Sequence, residues 1–330
     1  MRLRDKLGRA ITDLRVSITD RCNYRCVYCR SGEEGSPISE LPMDDYLRMI
    51  RIFVSLGIEK VRITGGEPLL RRELTPIVSE LATMRTPLGD TLDVAITTNG
   101  HLLAKLAASL KLAGLSRVTV SMDAIDRDKF ARITRVSNGY DAVVAGIRAA
   151  LRVGLRPVKV NVVIMRGFNE DQIIDFVRFS RSEGVAVRFI EFMPLEEERI
   201  WSPDTIVGFE EMLGILSTFR PLVPLTATTP GETALRYTFD DGLGEIGIIA
   251  PVSNAFCADC SRVRLTSDGK IRTCLFSQVD HDLYGLLRRG ATDDELAGFI
   301  EAVIQKKEAR HHIGEPGFLK PSRSMVHIGG

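Results

Sequence analysis

Residues 14–29 read Leu-Arg-Val-Ser-Ile-Thr-Asp-Arg-Cys-Asn-Tyr-Arg-Cys-Val-Tyr-Cys. A strand-like stretch, Leu14–Ile18, runs into a loop carrying Cys22, Cys26 and Cys29 at C-x3-C-x2-C spacing. Thiolates so spaced can converge on one metal cube. A [4Fe–4S] cluster is usually held by four Cys, so three leave one iron open to a ligand that reacts. A structural zinc ion wants four closed tetrahedral ligands, and no neighbouring His or fourth Cys completes that set. The other cysteines, Cys257, Cys260 and Cys274, form a second triplet, C-x2-C-x13-C. With His281 it also fits a Cys3His zinc knuckle, and spacing alone leaves both readings open.

Outward from Leu14–Ile18, short segments rich in Val, Ile and Thr recur at Lys60–Thr64, Leu92–Thr97, Arg117–Met122, Val158–Ile164 and Ala186–Phe192. Nearly continuous apolar runs of this length suit strands buried on both faces of a parallel sheet. Amphipathic stretches lie between them. Tyr140–Leu151 puts Val143, Val144, Ile147 and Leu151 on one helical face, and Asp44–Leu56 and Asp171–Arg181 behave alike. Six such units predict an α/β fold, an incomplete (β/α)6 TIM-like barrel with right-handed crossovers. Ligand sites then lie at the carboxyl ends of the strands, where Cys22 and Gly65-Gly66 fall.

After Pro194 the pattern changes. Arg236–Asp240 and Glu245–Ala250 read as a hairpin around Asp241-Gly242. Helices are expected at His281–Arg289 and Asp293–Lys307, and the tail from His311 to Gly330 has no clear period. The expected division is a core over 1–195 and a C-terminal region over 196–330 that carries the second iron–sulfur cluster.

The chain has 330 residues and a formal net charge of +1. No basic field points to nucleic acid or an anionic membrane, and sparse aromatics argue against stacking platforms for single strands. No apolar run is long enough to span a bilayer. Met1–Leu7 lacks the apolar stretch of a signal peptide, so a cytoplasmic location is expected, where clustered Cys read as metal or catalytic sites.

Cys22-x3-Cys26-x-Tyr28-Cys29 resembles the signature of the radical S-adenosylmethionine (SAM) superfamily. Gly65-Gly66-Glu67-Pro68 is similar to that superfamily's Gly-Gly-Glu-Pro segment. Thr97-Thr98-Asn99-Gly100, Val120-Ser121-Met122-Asp123, Arg188-Phe189-Ile190-Glu191-Phe192-Met193, the second triplet and terminal Gly329-Gly330 extend the match. Together they resemble the GTP 3′,8-cyclase family of molybdenum cofactor biosynthesis over essentially the whole chain. Arg30-Ser31 departs from the family's usual Met-Pro after the third Cys, and the loop from Ser31 to Pro42 looks shorter than usual.

The resemblance implies two [4Fe–4S] clusters, one held by Cys22, Cys26 and Cys29 and one by Cys257, Cys260 and Cys274. It implies SAM among Tyr28, Gly66, Glu67, Ser121, Asn161 and Met193. GTP is implied at Arg15, Lys60, Arg62, Thr97, Lys159, Arg262 and Arg264, with its guanine on the second cluster's open iron. Arg15, Arg262, Arg264, Gly329 and Gly330 join the first triplet as implied catalytic residues, the glycine tail reaching the active site. Implied partners are an electron donor such as flavodoxin or ferredoxin and, downstream, cyclic pyranopterin monophosphate synthase; the family admits a homodimer.

The residues themselves agree with an anionic substrate. Arg15 and Arg62 interrupt strands that otherwise read as buried, and a buried charge needs a partner. Arg262 and Arg264 are two apart, so an extended segment points both to one side, a good phosphate clamp. Gly242-x-Gly244-x2-Gly247 matches a dinucleotide fingerprint, yet Ile248-Ile249-Ala250-Pro251 follows where a helix should open. No P-loop sequence occurs, so side chains must hold any triphosphate.

Overall fold

The structure, a computed structural model, describes residues 2–29, 40–195, 200–229 and 231–329. Arg30-Ser31, most of the short loop after them, and Gly330 lie outside the described residues. Through the core the elements are β1 (Asp13–Ser17), α1 (Met43–Ser55), β2 (Lys60–Thr64), α2 (Leu74–Thr83), β3 (Asp93–Thr98), α3 (Leu103–Leu112), β4 (Arg117–Ser121), α4 (Arg127–Thr134), α5 (Tyr140–Arg152), β5 (Val158–Ile164), α6 (Ile173–Glu183) and β6 (Ala186–Glu191). There follow α7 (Phe209–Phe219), β7 (Leu222–Leu225), β8 (Leu235–Phe239), β9 (Glu245–Ile249), β10 (Arg262–Leu265), β11 (Lys270–Arg272), β12 (His281–Asp282), α8 (Leu283–Arg288), α9 (Asp293–Ile304) and α10 (Met325–Ile328).

All strands join one sheet in the order β12-β11-β10-β1-β2-β3-β4-β5-β6-β9-β8-β7. The six-unit parallel core is as expected. The sequence did not reveal that two C-terminal strands extend it, β10 parallel beside β1 and β9 parallel beside β6. The sheet curls. A single cavity is lined by residues of β1, β3, β4, β5, β6, β9 and β10 and by Thr64 of β2. Laid flat at about 4.8 Å per strand, those eight strands would span roughly 34 Å. The described strands leave β9 and β10 unpaired with each other, so the barrel stays incomplete. Among the described residues no helix is long and apolar enough to cross a membrane.

The strands are not buried alike on both faces, and this corrects the sequence reading. β5 alternates strictly: Val158, Val160, Val162 and Ile164 are buried, and Lys159, Asn161 and Val163 less so. In β1 and β2, Leu14, Val16, Val61 and Ile63 enter the apolar core with Tyr46, Ile50 and Phe53 of α1. Each such burial contributes about 1.5–3 kcal/mol. Asp13, Arg15 and Ser17 lie in register with Lys60, Arg62 and Thr64 on the opposite face. Arg15 and Arg62 therefore do not interrupt their strands; they belong to a polar inner face.

Three C-terminal expectations shift. His281 and Asp282 pair with β11 as a strand, and the helix begins at Leu283, capped by the Asp282 carboxylate accepting from Gly285 N at 2.8 Å. α9 opens on a Thr292–Glu295 capping box but ends at Ile304, short of Lys307. The Lys307 side chain turns inward, 2% exposed, onto two backbone carbonyls. The aperiodic tail has fixed structure. Arg323 donates to both Asp268 carboxylate oxygens at 2.9 and 2.8 Å and pairs with Asp280 at 2.6 Å, and α10 buries Val326 and Ile328. The 242–247 glycine pattern sits at a hairpin turn and in β9, which removes the dinucleotide reading.

Candidate active site

The loops after β1 and β2 are laced together by backbone. Gly66 N donates to Thr19 O at 2.8 Å and Glu67 N to Arg21 O at 2.7 Å. A Cβ on Gly66 would meet Arg21 O at 2.4 Å, so only glycine permits this approach. Gly66→Ala is expected to fold yet lose SAM binding at least tenfold by calorimetry; wild-type affinity would show that the loop tolerates displacement. The Glu67 carboxylate faces the protein. It accepts from Leu69 N at 2.9 Å, Thr98 Oγ1 at 2.7 Å and Asn99 N at 2.6 Å. Burial pushes its carboxyl up to about 7 against those donors. Its place is that of a brace under the Gly65-Gly66 turn.

The first triplet's loop is pinned at both ends. Arg25 N and Val27 N donate to Thr134 O and Ile133 O at the end of α4, and Cys29 N closes a turn on Cys26 O at 2.9 Å. Tyr28 Oη donates to Asp123 Oδ2 at 2.7 Å, and Asp123 Oδ1 accepts from Val163 N at 2.8 Å. Burial raises the Asp123 carboxyl to about 6 and the Tyr28 phenol well above its usual range.

The second triplet rides on the connection from β9 to β10 and on the turn after β11. Cys260 N donates to Cys257 O at 3.2 Å. Arg9 Nη1 fixes Cys257 O at 2.8 Å, and Arg262 Nη2 approaches Cys260 Sγ at 3.4 Å. Burial opposes ionisation of the Cys260 thiol, but Arg262 and Lys307 together bring it down to about 6.

One cavity of about 280 Å³ takes in both triplets. Tyr28, Gly66, Ser121, Asn161 and Met193 line it around the first, and Arg15, Thr97, Arg262 and Arg264 line it towards the second. Burial, with Arg262 beside it, lowers the Arg15 guanidinium to about 10. Arg264 is likewise pushed well below its ordinary range by burial and by the Arg15 and Arg262 guanidiniums. The buried Nε of Arg15 has no hydrogen-bond partner among the described residues. Three crowded, desolvated cations are a site for a polyanion.

Lys60, Arg62 and Lys159 do not reach that wall. They sit deeper on the inner face, with Lys60 paired to Asp13 at 2.8 Å and Arg62 donating to Thr97 at 3.3 Å and Thr119 at 3.1 Å. Burial, with Arg188 near, brings Lys159 down to about 8. Gly329 does reach the barrel mouth. Its carbonyl accepts from Arg264, and a Cβ there would meet Thr64 Cγ2 at 2.9 Å and Ser17 Cβ at 3.0 Å.

The cavity also holds residues that sequence reasoning missed. Asn99 and Asp123 lie just past strand ends inside quoted motifs, so position marked them. Phe256, Lys307 and His311 also line it and carried no signal; His311 packs on Phe276 with ring centroids 5.4 Å apart. His281 instead borders an outer cavity. Among the described residues no group of three or more His, Cys, Asp or Glu is gathered to hold a single ion. His281 shares that outer cavity with Cys274 but not with Cys257 or Cys260, whereas all six cysteines line the inner one.

Residues 16–180 match the Radical SAM superfamily, and residues 185–313 match Molybdenum Cofactor Synthesis C. A GTP 3′,8-cyclase of Corynebacterium glutamicum is 44% identical over 335 residues, covering 99% of this chain and 89% of that protein. One from Moorella thermoacetica is 42% identical, covering 99% of this chain and 100% of that protein. The crystal structure of Streptococcus suis SuiB bound to the precursor peptide SuiA aligns with a TM-score of 0.63 at 16% identity, over 96% of this chain and 77% of that one. That distant likeness speaks for the fold, and the near-complete alignments for the family: this chain belongs to the GTP 3′,8-cyclases of the radical SAM superfamily.

Proposed function

We propose that the protein converts GTP to 3′,8-cyclo-7,8-dihydro-GTP, the first step of molybdenum cofactor biosynthesis, using SAM and two [4Fe–4S] clusters. One observation carries the assignment of roles: a single cavity joins both cysteine triplets through a wall of Arg15, Arg262 and Arg264. Cys22, Cys26 and Cys29 would hold the first cluster, and Cys257, Cys260 and Cys274 the second, whose open iron takes the guanine base. When bound, the first cluster and SAM supply hydrogen-abstracting radical chemistry.

The chain's own residues position and enclose the reactants. Tyr28, Gly66, Ser121, Asn161 and Met193 surround SAM, with Glu67 bracing the turn beneath. Arg15, Arg262 and Arg264 grip the triphosphate, and Thr97 borders it. Lys60, Arg62 and Lys159 extend the positive field below. Gly329 closes the mouth against water and stray hydrogen donors. In this reading residues 1–195 carry the radical source and residues 196–330 the base-binding cluster. Flavodoxin or ferredoxin supplies electrons, and cyclic pyranopterin monophosphate synthase takes the product.

The test is anaerobic incubation with SAM, a reductant and each of the four NTPs, followed by mass spectrometry. Only GTP should be cyclised, because a site built to pair guanine's donors and acceptors leaves them unpaired with another base. Equal turnover of ATP would refute the assignment.

A further inference from the structure

Lys307 is a buried cation that the proposed reaction does not use. It follows α9, is 2% exposed and lines the cavity. Its Nζ donates to Arg262 O at 2.8 Å and to Thr273 O. Arg262 is two residues beyond Cys260, and Thr273 directly precedes Cys274. One ammonium thus staples together both limbs of the second triplet. Glu308, the nearest carboxylate in sequence, accepts from Thr273 Oγ1 at 2.7 Å and makes no ion pair with Lys307 among the described residues. An ammonium has three N–H donors and no acceptor, so one N–H remains beyond the two carbonyls. A desolvated positive charge this close to thiolates acts at low dielectric and is strongly felt.

We infer that Lys307 is a positioning residue whose charge raises the reduction potential of the second cluster. Cluster potentials follow net charge, hydrogen bonding to sulfur and exposure, and reduction adds negative charge that a fixed cation stabilises. The Glu308 carboxylate beside Cys274 acts in the opposite sense, so the effect of the Lys307 charge is read against its neutral variants.

The inference rests on the second triplet holding a cluster, and the experiment separates the two. Full-length chain with Cys22, Cys26 and Cys29 replaced by Ala is reconstituted anaerobically and analysed for iron and sulfide. Absence of a cluster there would sink the functional reading itself. With the cluster present, an EPR-monitored redox titration compares Lys307 with Lys307→Gln and Lys307→Met. Poised at the parent's midpoint, the neutral variants should show a reduced-to-oxidised ratio about tenfold lower, a shift of about 59 mV for one electron, and Lys307→Arg should match the parent. An unmoved potential in the neutral variants overturns the inference and leaves the functional reading intact. If the neutral variants lose the cluster, Lys307→Arg decides: normal loading at the parent potential supports the charge, and failed loading overturns it.

Discussion

Cys22→Ala is expected to abolish SAM cleavage completely while the second cluster still assembles. Cys22 belongs to a loop held through its backbone by α4 and by the Gly65-Gly66 strand end, and its sulfur accepts one local bond, from Tyr24 N at 3.4 Å. The variant should therefore fold. With two thiolates left, the first cluster loses a ligand that nothing among the described residues replaces. Iron should fall from about eight to about four per chain, given four irons per cubane. Anaerobic assays would show no methionine or 5′-deoxyadenosine, with or without GTP. Full activity in this variant would refute the ligand assignment, and loss of both clusters would show that the sites do not load independently.

Arg264→Ala is expected to weaken GTP binding and cyclisation far more than cluster loading. The guanidinium would lose a charge-assisted bond to phosphate and the one it now donates to Gly329 O. Such bonds contribute about 1.5–3 kcal/mol each, so affinity should fall at least tenfold. The fold should hold, because the deleted charge is buried beside the like charges of Arg15 and Arg262. Arg264→Lys should recover only part of the loss, since an ammonium lacks the planar fork. Calorimetry with GTP, alongside iron analysis, reads both effects; an unchanged affinity would remove Arg264 from the clamp.

Much of this site was legible because its chemistry is spelled in contiguous residues. The triplet Cys22–Cys29, the Gly65–Pro68 segment and the Arg262–Arg264 pair each sit at a strand's end or within one, and strands bring them together. Glu67 lies in the Gly65–Pro68 segment, and its carboxylate is spent on Leu69, Thr98 and Asn99. A motif gives position, not the direction of a side chain. Lys60 and Lys159 lie below the cavity wall, because depth along a curled sheet depends on register that no single strand encodes. Lys307 and His311 were illegible because only tertiary packing turns them inward. The outer strands β9 and β10 escaped as core members for a related reason. Their short, charged or glycine-containing sequences do not announce parallel pairing with strands made far earlier.

That pairing has a temporal consequence. β1 leaves the ribosome early, but β10, its neighbour on one side, is encoded some 250 residues later. At about 5–20 residues per second, the strand waits on the order of 10–50 s with one edge bare. Throughout that interval the Cys22–Cys29 loop is open on the flank that later becomes a wall. Trimming the far end of the chain would make this nascent exposure permanent, and an unpaired edge is a template for aggregation.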